Sequence, residues 1–251
     1  MILTPLSFLI VCPLLFLAGF VDSIGGGGGL ISLPAYLLAG LPVHQAIATN
    51  KLSSTCGTSL STGRFLRHGL INLKLALPAA VAAFAGSTLG ARLSLLVSED
   101  VMKYILFAVL PVAAFFVLNR HLFRDRGGEA EANRRTMVIC ILSALLIGAY
   151  DGFYGPGTGT FLILIYCGMA KMDLRTASGN VKLVNLASNV GALATSLMHG
   201  KVFIVLGLIG ALASVGGHYL GSGLAIKDGS KIVRPIILLV LLAVKVISEL
   251  L

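Results

Sequence analysis

The sequence predicts an all-α polytopic membrane protein made of two repeats of about four to five hydrophobic segments each, with glycine-broken helices. First, 57% of its 251 residues are hydrophobic and only 12% are charged, about half the charged share of a soluble domain. Second, apolar stretches of membrane-spanning length recur along the whole chain. Third, the two halves share uncommon motifs in the same order. The apolar runs are long and do not alternate, so they predict helices rather than barrel strands.

The expected elements follow from the apolar segments. In the first half these are 5–23, 30–40, 44–66, 72–97 and 101–119, and in the second half 137–153, 160–170, 173–197, 202–225 and 231–250. Because no Lys or Arg precedes Lys51, the first segment is expected to stay in the membrane rather than to be a cleaved signal peptide. The predicted units are an N-terminal transmembrane repeat (1–119), a cytoplasmic linker (120–136) and a C-terminal transmembrane repeat (137–251).

Four motifs occur once in each half. The pairs are "DSIGGGGG" with "DGFYGPGTG", "ATNKLSSTCGTSL" with "SGNVKLVNLASNVGAL", "RHG" with "MHG", and "GSTLG" with "GHYLG". The offset between partners runs only from 129 residues (Asp22 to Asp151) to 131 residues (Lys51 to Lys182). Chance similarity between apolar helices would match Leu, Ala and Val instead, so the pattern indicates an internal duplication. The last pair has the small-xxx-small spacing of helix-packing motifs.

The charges outside the apolar segments predict the orientation of the halves. The linker carries five arginines, which places it in the cytoplasm by the positive-inside rule. Counting crossings from there puts the two equivalent "HG" loops on opposite faces, so the repeats are predicted to be inverted. The alternative treats residues 5–40 as one broken crossing. It would need about 54 Å of helix in a hydrocarbon core of about 30 Å.

Glycine-interrupted segments at matching positions of inverted repeats are typical of the binding site of a secondary transporter. A helix that restarts after such a break presents free backbone N–H groups and a positive dipole end, which suit an anion. The alternative is a flexible or tightly packed turn. A nucleotide P-loop is excluded because no GK[ST] follows. The predicted anion-binding glycines are Gly25, Gly26, Gly27, Gly28, Gly29, Gly155, Gly157 and Gly159.

The segment after each break carries polar residues at helical spacing. Such a stripe lines either a water-filled cavity or a helix–helix interface. Each stripe contains one lysine, and the pairing of these lysines across the repeat favours a functional cation that faces the anion or a carboxylate; snorkelling to the interface is the alternative. The predicted substrate-binding residues here are Asn50, Lys51, Ser54, Thr58, Asn180, Lys182, Asn185 and Asn189.

Asp22 and Asp151 precede the two breaks. A desolvated carboxylate at such a position holds a proton near neutral pH and could couple proton to anion movement. The alternative is a cap, in which the carboxylate accepts hydrogen bonds from the glycine-loop N–H groups. His68 and His199, each followed by glycine, fit a helix C-cap as well as proton handling.

The duplicated glycine-rich breaks, the "TNK" and "GNVK" stretches and the repeated "HG" resemble the sulfite exporter TauE/SafE family over nearly the whole chain. The resemblance implies a multi-pass transporter of the bacterial inner membrane. Its substrate would be a small sulfur-containing anion such as sulfite, sulfoacetate or another organosulfonate. The alternatives are a passive anion channel and a carrier of a non-sulfur organic anion.

Other classes of function have little support in the sequence. The chain has no GxSxG or HExxH motif, so it is not expected to be an enzyme. Its four cysteines stand singly, which predicts neither a metal nor a cofactor. The expected partners are a small anion and the lipid bilayer. The formal charge of +9 is interpreted as a topology signal rather than as nucleic-acid binding.

Overall fold

The computed structural model describes residues 5–105, 108–109 and 133–228. Residues 99–105 are helical, and no strand occurs in these ranges. The all-α class is therefore confirmed for the described part of the chain. The longer helices are α1 (Pro5–Gly25), α2 (Gly29–Leu38), α3 (Val43–Arg67), α4 (Leu73–Leu96), α5 (Arg134–Phe153), α6 (Thr158–Gly168), α7 (Leu174–Met198) and α8 (Ile204–Asp228).

These eight helices lie within a few residues of eight of the predicted segments. The predicted segment 231–250 lies outside the described residues, as do most of 101–119 and residues 120–132 of the predicted linker. Helix α5 begins at Arg134, so the last residues assigned to the linker are helical. Asn133 explains this earlier start, because its side chain accepts a hydrogen bond from the Thr136 N–H at 2.9 Å and caps the helix.

Four of the described helices are long and apolar enough to cross a membrane: Ser7–Gly25, Leu73–Leu96, Arg134–Phe153 and Ile204–Lys227. Helices α3 and α7 are as long, at 25 residues each, but carry the polar stripes and bury them. Large apolar side chains such as Leu77, Leu93 and Leu212 are instead exposed on α4 and α8. Apolar groups outside and polar groups inside are the arrangement expected for helices in lipid.

Glycines allow close packing between helices of different halves, α4 against α5 and α1 against α8. On the α4–α5 interface, a Cβ added at Gly90 would overlap the Ala149 carbonyl oxygen. On the α1–α8 interface, a Cβ added at Gly217 would overlap the Phe16 carbonyl oxygen. The "GSTLG" and "GHYLG" motifs thus bring backbones into close contact, as their spacing predicts.

The central pair of helices, α3 and α7, occupies aligned positions in the two repeats. The Lys51 Nζ donates to Asn189 Oδ1 at 3.3 Å, and the Thr62 hydroxyl donates to the Lys182 carbonyl oxygen at 3.1 Å. A position further along α3 therefore meets a position earlier in α7, so the two helices run in opposite directions. In contrast, α4 and α5 run in the same direction, because Gly86 lies against Leu145 and Gly90 against Ala149.

The chain leaves helical geometry at both glycine-rich stretches. It does so between Gly25 and Gly29 and again between Phe153 and Thr158, where Gly27 (φ 88°) and Gly157 (φ 87°) adopt left-handed conformations that glycine accepts without strain. Helix α2 has ten residues, or about 15 Å, half of a hydrocarbon core. Tyr36 of α2 and Leu15 of α1 both lie close to Gly210, so α2 doubles back beside α1.

Glu99, outside the apolar segments, caps the start of α3 from a distance in sequence. Its carboxylate accepts the Val43 N–H at 2.9 Å and the His44 N–H at 3.4 Å, and it lies 2.7 Å from the His44 Nδ1. Partial burial raises the pKa of Glu99. Hydrogen bonds from His44 and from these two backbone N–H groups outweigh the burial and hold that pKa below its ordinary value.

We expect the glycine contacts to limit stability. Gly90→Ala should cost about 1–3 kcal/mol by overpacking the α4–α5 interface. Gly63→Ala is the matched control, since Gly63 lies within α3 with no atom near its Cβ position, and it should gain up to about 1 kcal/mol from helix propensity. Thermal unfolding of the purified chain in detergent measures both. Equal stability of the two variants would contradict the packing role.

Glu99 should make stability depend on pH. Because its pKa is lower in the folded chain than in the unfolded chain, its contribution is present above the ordinary carboxyl pKa and is lost as pH falls through the folded value. Glu99→Gln should therefore lower stability by about 1 kcal/mol at neutral pH, and the difference from the unsubstituted chain should shrink in acid. Asp100→Asn is the control, because Asp100 is exposed and forms an exposed ion pair with Lys103. A deficit of Glu99→Gln that does not vary with pH would refute this origin. Melting temperatures measured across pH decide between the two.

Candidate functional site

The two breaks meet between the repeats, in contact with each other. The Thr160 hydroxyl donates to the Gly25 carbonyl oxygen at 3.2 Å, and a Cβ added at Gly26 would lie 2.6 Å from the Gly159 carbonyl carbon. Such an approach of two backbones is open only to glycine. Residues far apart in sequence thus form one site.

A small cavity lies where the breaks meet α3 and α7. Its volume is about 20 Å³, close to the space that one water molecule needs. Backbone of both breaks and side chains of both stripes form its walls. The lining residues are Asp22, Gly27, Gly29, Asn50, Lys51, Ser54, Asp151, Gly155, Gly157, Thr158, Gly159, Asn185 and Asn189.

Backbone N–H groups in this lining are left without acceptors. Those of Gly27, Gly155, Gly157 and Gly159 have no hydrogen-bond acceptor within the described ranges of the chain. In the same breaks, the Gly26 N–H donates to the Asp22 carbonyl oxygen at 3.0 Å. Donors without protein partners beside a cavity are available to a ligand or to water.

Asp151 of the second repeat is paired with Lys51 of the first. Their Nζ and Oδ1 atoms are 2.8 Å apart, and both side chains are buried. The same carboxylate accepts the Thr158 hydroxyl at 2.9 Å and the Ser188 hydroxyl at 2.5 Å. One ammonium group and two hydroxyl groups therefore surround the Asp151 carboxylate.

Asp22 of the first repeat faces Lys182 of the second in the reciprocal arrangement. The Lys182 Nζ donates to the Asp22 carbonyl oxygen and lies 3.8 Å from its Oδ2. The Asp22 Oδ1 accepts the Gly28 N–H at 3.1 Å, which is the cap geometry considered for this residue. The His218 Nε2 lies 3.8 Å from Oδ2, so this carboxylate has a titratable neighbour that Asp151 lacks.

The two ion pairs balance each other in charge. Two lysines face two carboxylates, and burial of an unpaired charge would be costly. Each pair joins the repeats, because each lysine neutralises the aspartate of the other half. The cavity wall itself contains both carboxylates and only Lys51. A bound anion would therefore need its charge compensated by a further positive charge or by the free N–H groups.

The structure brings most of the predicted site residues to this cavity and leaves six outside its lining. Lys182 meets it only through Asp22. Asn180 lies apart, since its Oδ1 accepts the Asn72 N–H at 2.7 Å and holds the start of α4. Thr58 is buried, and its hydroxyl has no partner within the described ranges. The remaining three are Gly25, Gly26 and Gly28, which belong to the first break.

His68 and His199 are helix C-caps. Each is the residue after the last turn of its helix, α3 or α7. Each Nδ1 lies 2.8 Å from the carbonyl oxygen four residues earlier, of Arg64 and Thr195 respectively. Among the described residues, no group of His, Cys, Asp and Glu side chains has the geometry of a metal site.

Three residues that sequence reasoning did not assign to the site contact the carboxylates. Thr158 stands inside the "GPGTG" motif, and a hydroxyl next to the predicted break was a usable signal. Ser188 aligns with Gly57 and His218 with Ser87, each at the offset of 131 residues that separates Lys51 from Lys182. These differences between otherwise matched repeats were visible, but which helix they face depends on tertiary packing.

Comparison with known proteins identifies the family. The family model described as "Sulfite exporter TauE/SafE" matches residues 11–246. A probable membrane transporter protein, ORF9, from Sinorhizobium sp is 39% identical over 243 residues, which cover 96% of this chain and 91% of that protein. The probable membrane transporter protein YfcA of Escherichia coli K12 is 34% identical over 245 residues, covering 93% and 89%.

A further relative, a probable membrane transporter protein of Haemophilus influenzae, is 31% identical over 227 residues, covering 89% of this chain and 87% of the relative. No solved structure shows significant similarity to the chain. The names of these relatives, the apolar helices and the glycine-rich breaks all indicate a membrane transporter. The chain is a multi-pass membrane transporter that belongs to the TauE/SafE sulfite exporter family.

Proposed function

We propose that the chain is a secondary transporter that moves a small sulfur-containing anion, such as sulfite, sulfoacetate or another organosulfonate, across the bacterial inner membrane. The observation that supports this proposal best is the cavity between the two breaks. It combines an ammonium group, Lys51, with glycine N–H groups that have no acceptor among the described residues. Sulfite and sulfonate oxygens accept hydrogen bonds from such donors, and the family description supplies the sulfur chemistry.

Inverted repeats would supply the two conformations that such a transporter needs. The opposite directions of α3 and α7 support an inverted arrangement. The distribution of charge supports it too. Arg64 near the end of α3 binds the Tyr219 carbonyl of α8, and Arg175 at the start of α7 binds the Ile226 carbonyl near the end of α8. The end of α3, the last turns of α8 and the start of α7 therefore lie at the same end of the bundle.

Lys and Arg residues outside the ion pairs are concentrated at that end of the bundle. By the positive-inside rule this end would face the cytoplasm. The described Lys and Arg residues at this end are Arg64, Arg67, Lys74, Arg134, Arg135, Lys171, Arg175 and Lys227, against Arg92, Lys103 and Lys201 towards the other end.

Binding of an anion requires the site to widen. The cavity of about 20 Å³ has room for about one water molecule, so α3 and α7, or the two breaks, would have to separate to admit an anion. Near the cavity, the Lys51–Asn189 hydrogen bond joins α3 to α7, whereas α4 and α5 meet through close backbone contacts at Gly86 and Gly90. This makes the central pair the more easily parted interface of the two.

Transport would be coupled to protons through at least one of the two aspartates. Asp22 and Asp151 both line the cavity, so an anion bound there would lie next to two carboxylates. Protonation of one carboxylate would remove its repulsion of the anion. Release of that proton on the other side of the membrane would drive anion movement.

A flux assay tests the function. Purified chain in proteoliposomes should accumulate labelled sulfite or a sulfonate against its concentration gradient when a pH gradient is imposed, because a secondary transporter uses a second gradient. The same vesicles are tested with carboxylates of similar size, and vesicles without protein are the control. Equilibration without accumulation would instead indicate a channel, and uptake of carboxylates alone would refute the sulfur class.

Substitution of the lysines tests the site. Lys51→Ala should weaken anion binding by about 1.5–3 kcal/mol, roughly 10- to 150-fold, because a charged hydrogen-bond donor is lost from the cavity wall. Lys182→Ala should act through Asp22, and its effect should be smaller. Lys74→Ala is the control, since Lys74 is exposed at the start of α4. The anion concentration that gives half-maximal exchange measures the change. Unaltered affinity in both Lys51→Ala and Lys182→Ala would refute the assignment.

A further inference from the structure

We propose that the coupling proton is shared by Asp22 and His218, and that Asp151 stays ionised throughout transport. The inference rests on the proposed proton-coupled transport, and it goes further by placing the proton in one repeat and adding His218 to the carrier. It also assigns unlike tasks to two carboxylates that the sequence presents as equivalent.

The two carboxylates have different surroundings although their positions match. Where the second repeat has Ser188, whose hydroxyl donates to Asp151, the aligned residue of the first repeat is Gly57. Without a side chain at Gly57 there is room for the His218 ring, which a Cβ at that position would overlap. The hydroxyl donor of one repeat is thus replaced in the other by an imidazole.

We assign the protonation of this imidazole from its hydrogen-bond partners. The Ser61 hydroxyl donates to the Thr58 carbonyl oxygen at 3.1 Å, so its oxygen can accept a hydrogen bond from the His218 Nδ1–H, also 3.1 Å away. In a neutral ring, Nε2 then carries the lone pair. That lone pair faces the Asp22 carboxylate at 3.8 Å, and two acceptors facing each other become a favourable contact only when one additional proton lies between them.

Solvent access also differs between the two carboxylates. The Asp22 side chain is 15% exposed and that of Asp151 is 3% exposed. The Lys51 Nζ touches Asp151 at 2.8 Å, whereas the Lys182 Nζ stands 3.8 Å from the Asp22 Oδ2. Asp22 is therefore the carboxylate that a proton from solvent can reach, and its charge is compensated by the more distant lysine.

The charged groups around His218 come from three helices. Helix α1 contributes Asp22 and helix α7 contributes Lys182. Helix α3 contributes Arg64, whose guanidinium carbon lies 4.5 Å from the ring centre of Tyr219. Tyr219 is the residue after His218 on α8. With Asp22 and Lys182 both charged and His218 neutral, the cluster has no net charge apart from Arg64.

One added proton changes this balance by one positive charge. Asp22 lines the cavity, so the added charge lies beside the site where the anion would bind. Proton and anion would then favour each other's binding, and by reciprocity the coupling is equal in both directions. The two would move across the membrane together, with the proton taken from water on one side and returned to water on the other.

Infrared titration of the purified chain in detergent, without any anion, tests the shared proton independently of transport. The unsubstituted chain should show carboxyl and imidazole bands that change together as pH is varied. Asp22→Asn and His218→Gln should each abolish this joint change, whereas Asp151→Asn should retain it. His68→Gln is the matched control, because that histidine caps a helix end. Loss of the joint change in Asp151→Asn, or its persistence in His218→Gln, would overturn the proposal.

A variant that keeps both partners guards against misfolding. Ser61→Ala retains Asp22 and His218 but removes the acceptor of the Nδ1–H, so the midpoint pH of the joint change should shift. An unshifted midpoint contradicts the assigned hydrogen-bond directions and with them the shared proton. This readout is available even if the larger substitutions do not yield folded protein.

Sulfite flux in proteoliposomes separates this inference from the function on which it rests. In the unsubstituted chain, a pH gradient that is acidic outside the vesicles should stimulate sulfite uptake relative to exchange at equal pH. That ratio should fall to no stimulation in His218→Gln and remain in His68→Gln. If the infrared change is present and sulfite does not move, the proposed substrate is wrong and the shared proton stands. If sulfite uptake is driven equally in His218→Gln, the assignment of the proton is wrong and the transport function stands.

Discussion

Two buried lysine–aspartate pairs hold the halves of this protein together. Transfer of a single charge into a membrane-embedded core is costly, so Lys51 and Lys182 each require a carboxylate within reach. The carboxylate is supplied each time by the other repeat, at 2.8 Å for Asp151 and 3.8 Å for Asp22. Removal of one partner from a buried pair costs about 3–5 kcal/mol, and neither half can satisfy its own charges in this arrangement. Interlocking of the repeats is therefore a requirement of their electrostatics.

Glycine makes this interlocking geometrically feasible. The pairs form because helix α1 ends at Gly25 and helix α5 ends at Phe153, which brings the backbones of both breaks to α3 and α7. The outer helices must then approach closely, and Gly90 and Gly217 allow this by removing side chains from the α4–α5 and α1–α8 contacts. The same residue type thus provides close packing at the periphery and free N–H groups at the centre, two uses that follow from the absence of a Cβ.

Departure from symmetry is what distinguishes the two carboxylates chemically. A perfectly repeated structure would give Asp22 and Asp151 the same partners and the same protonation behaviour. Two changes, Gly57 opposite Ser188 and His218 opposite Ser87, leave one carboxylate locked by hydroxyl donors and the other beside an imidazole. The two ion pairs therefore differ in chemistry although their residues occupy matching positions in the two halves of the chain.

The sequence by itself determined the helical class, the positions of eight helices to within a few residues, the repeated order of motifs and the presence of lysines and aspartates inside apolar segments. These properties are local, because hydropathy, glycine content and the repeated order of motifs are all read along one chain. Only the tertiary structure decided which lysine meets which aspartate and that His218 reaches Asp22. It also decided that Asn180 lies outside the cavity lining and binds the start of α4. Such contacts join residues more than 100 positions apart, and they depend on which faces of the helices are turned together, a choice that the spacing of residues along a single helix does not specify.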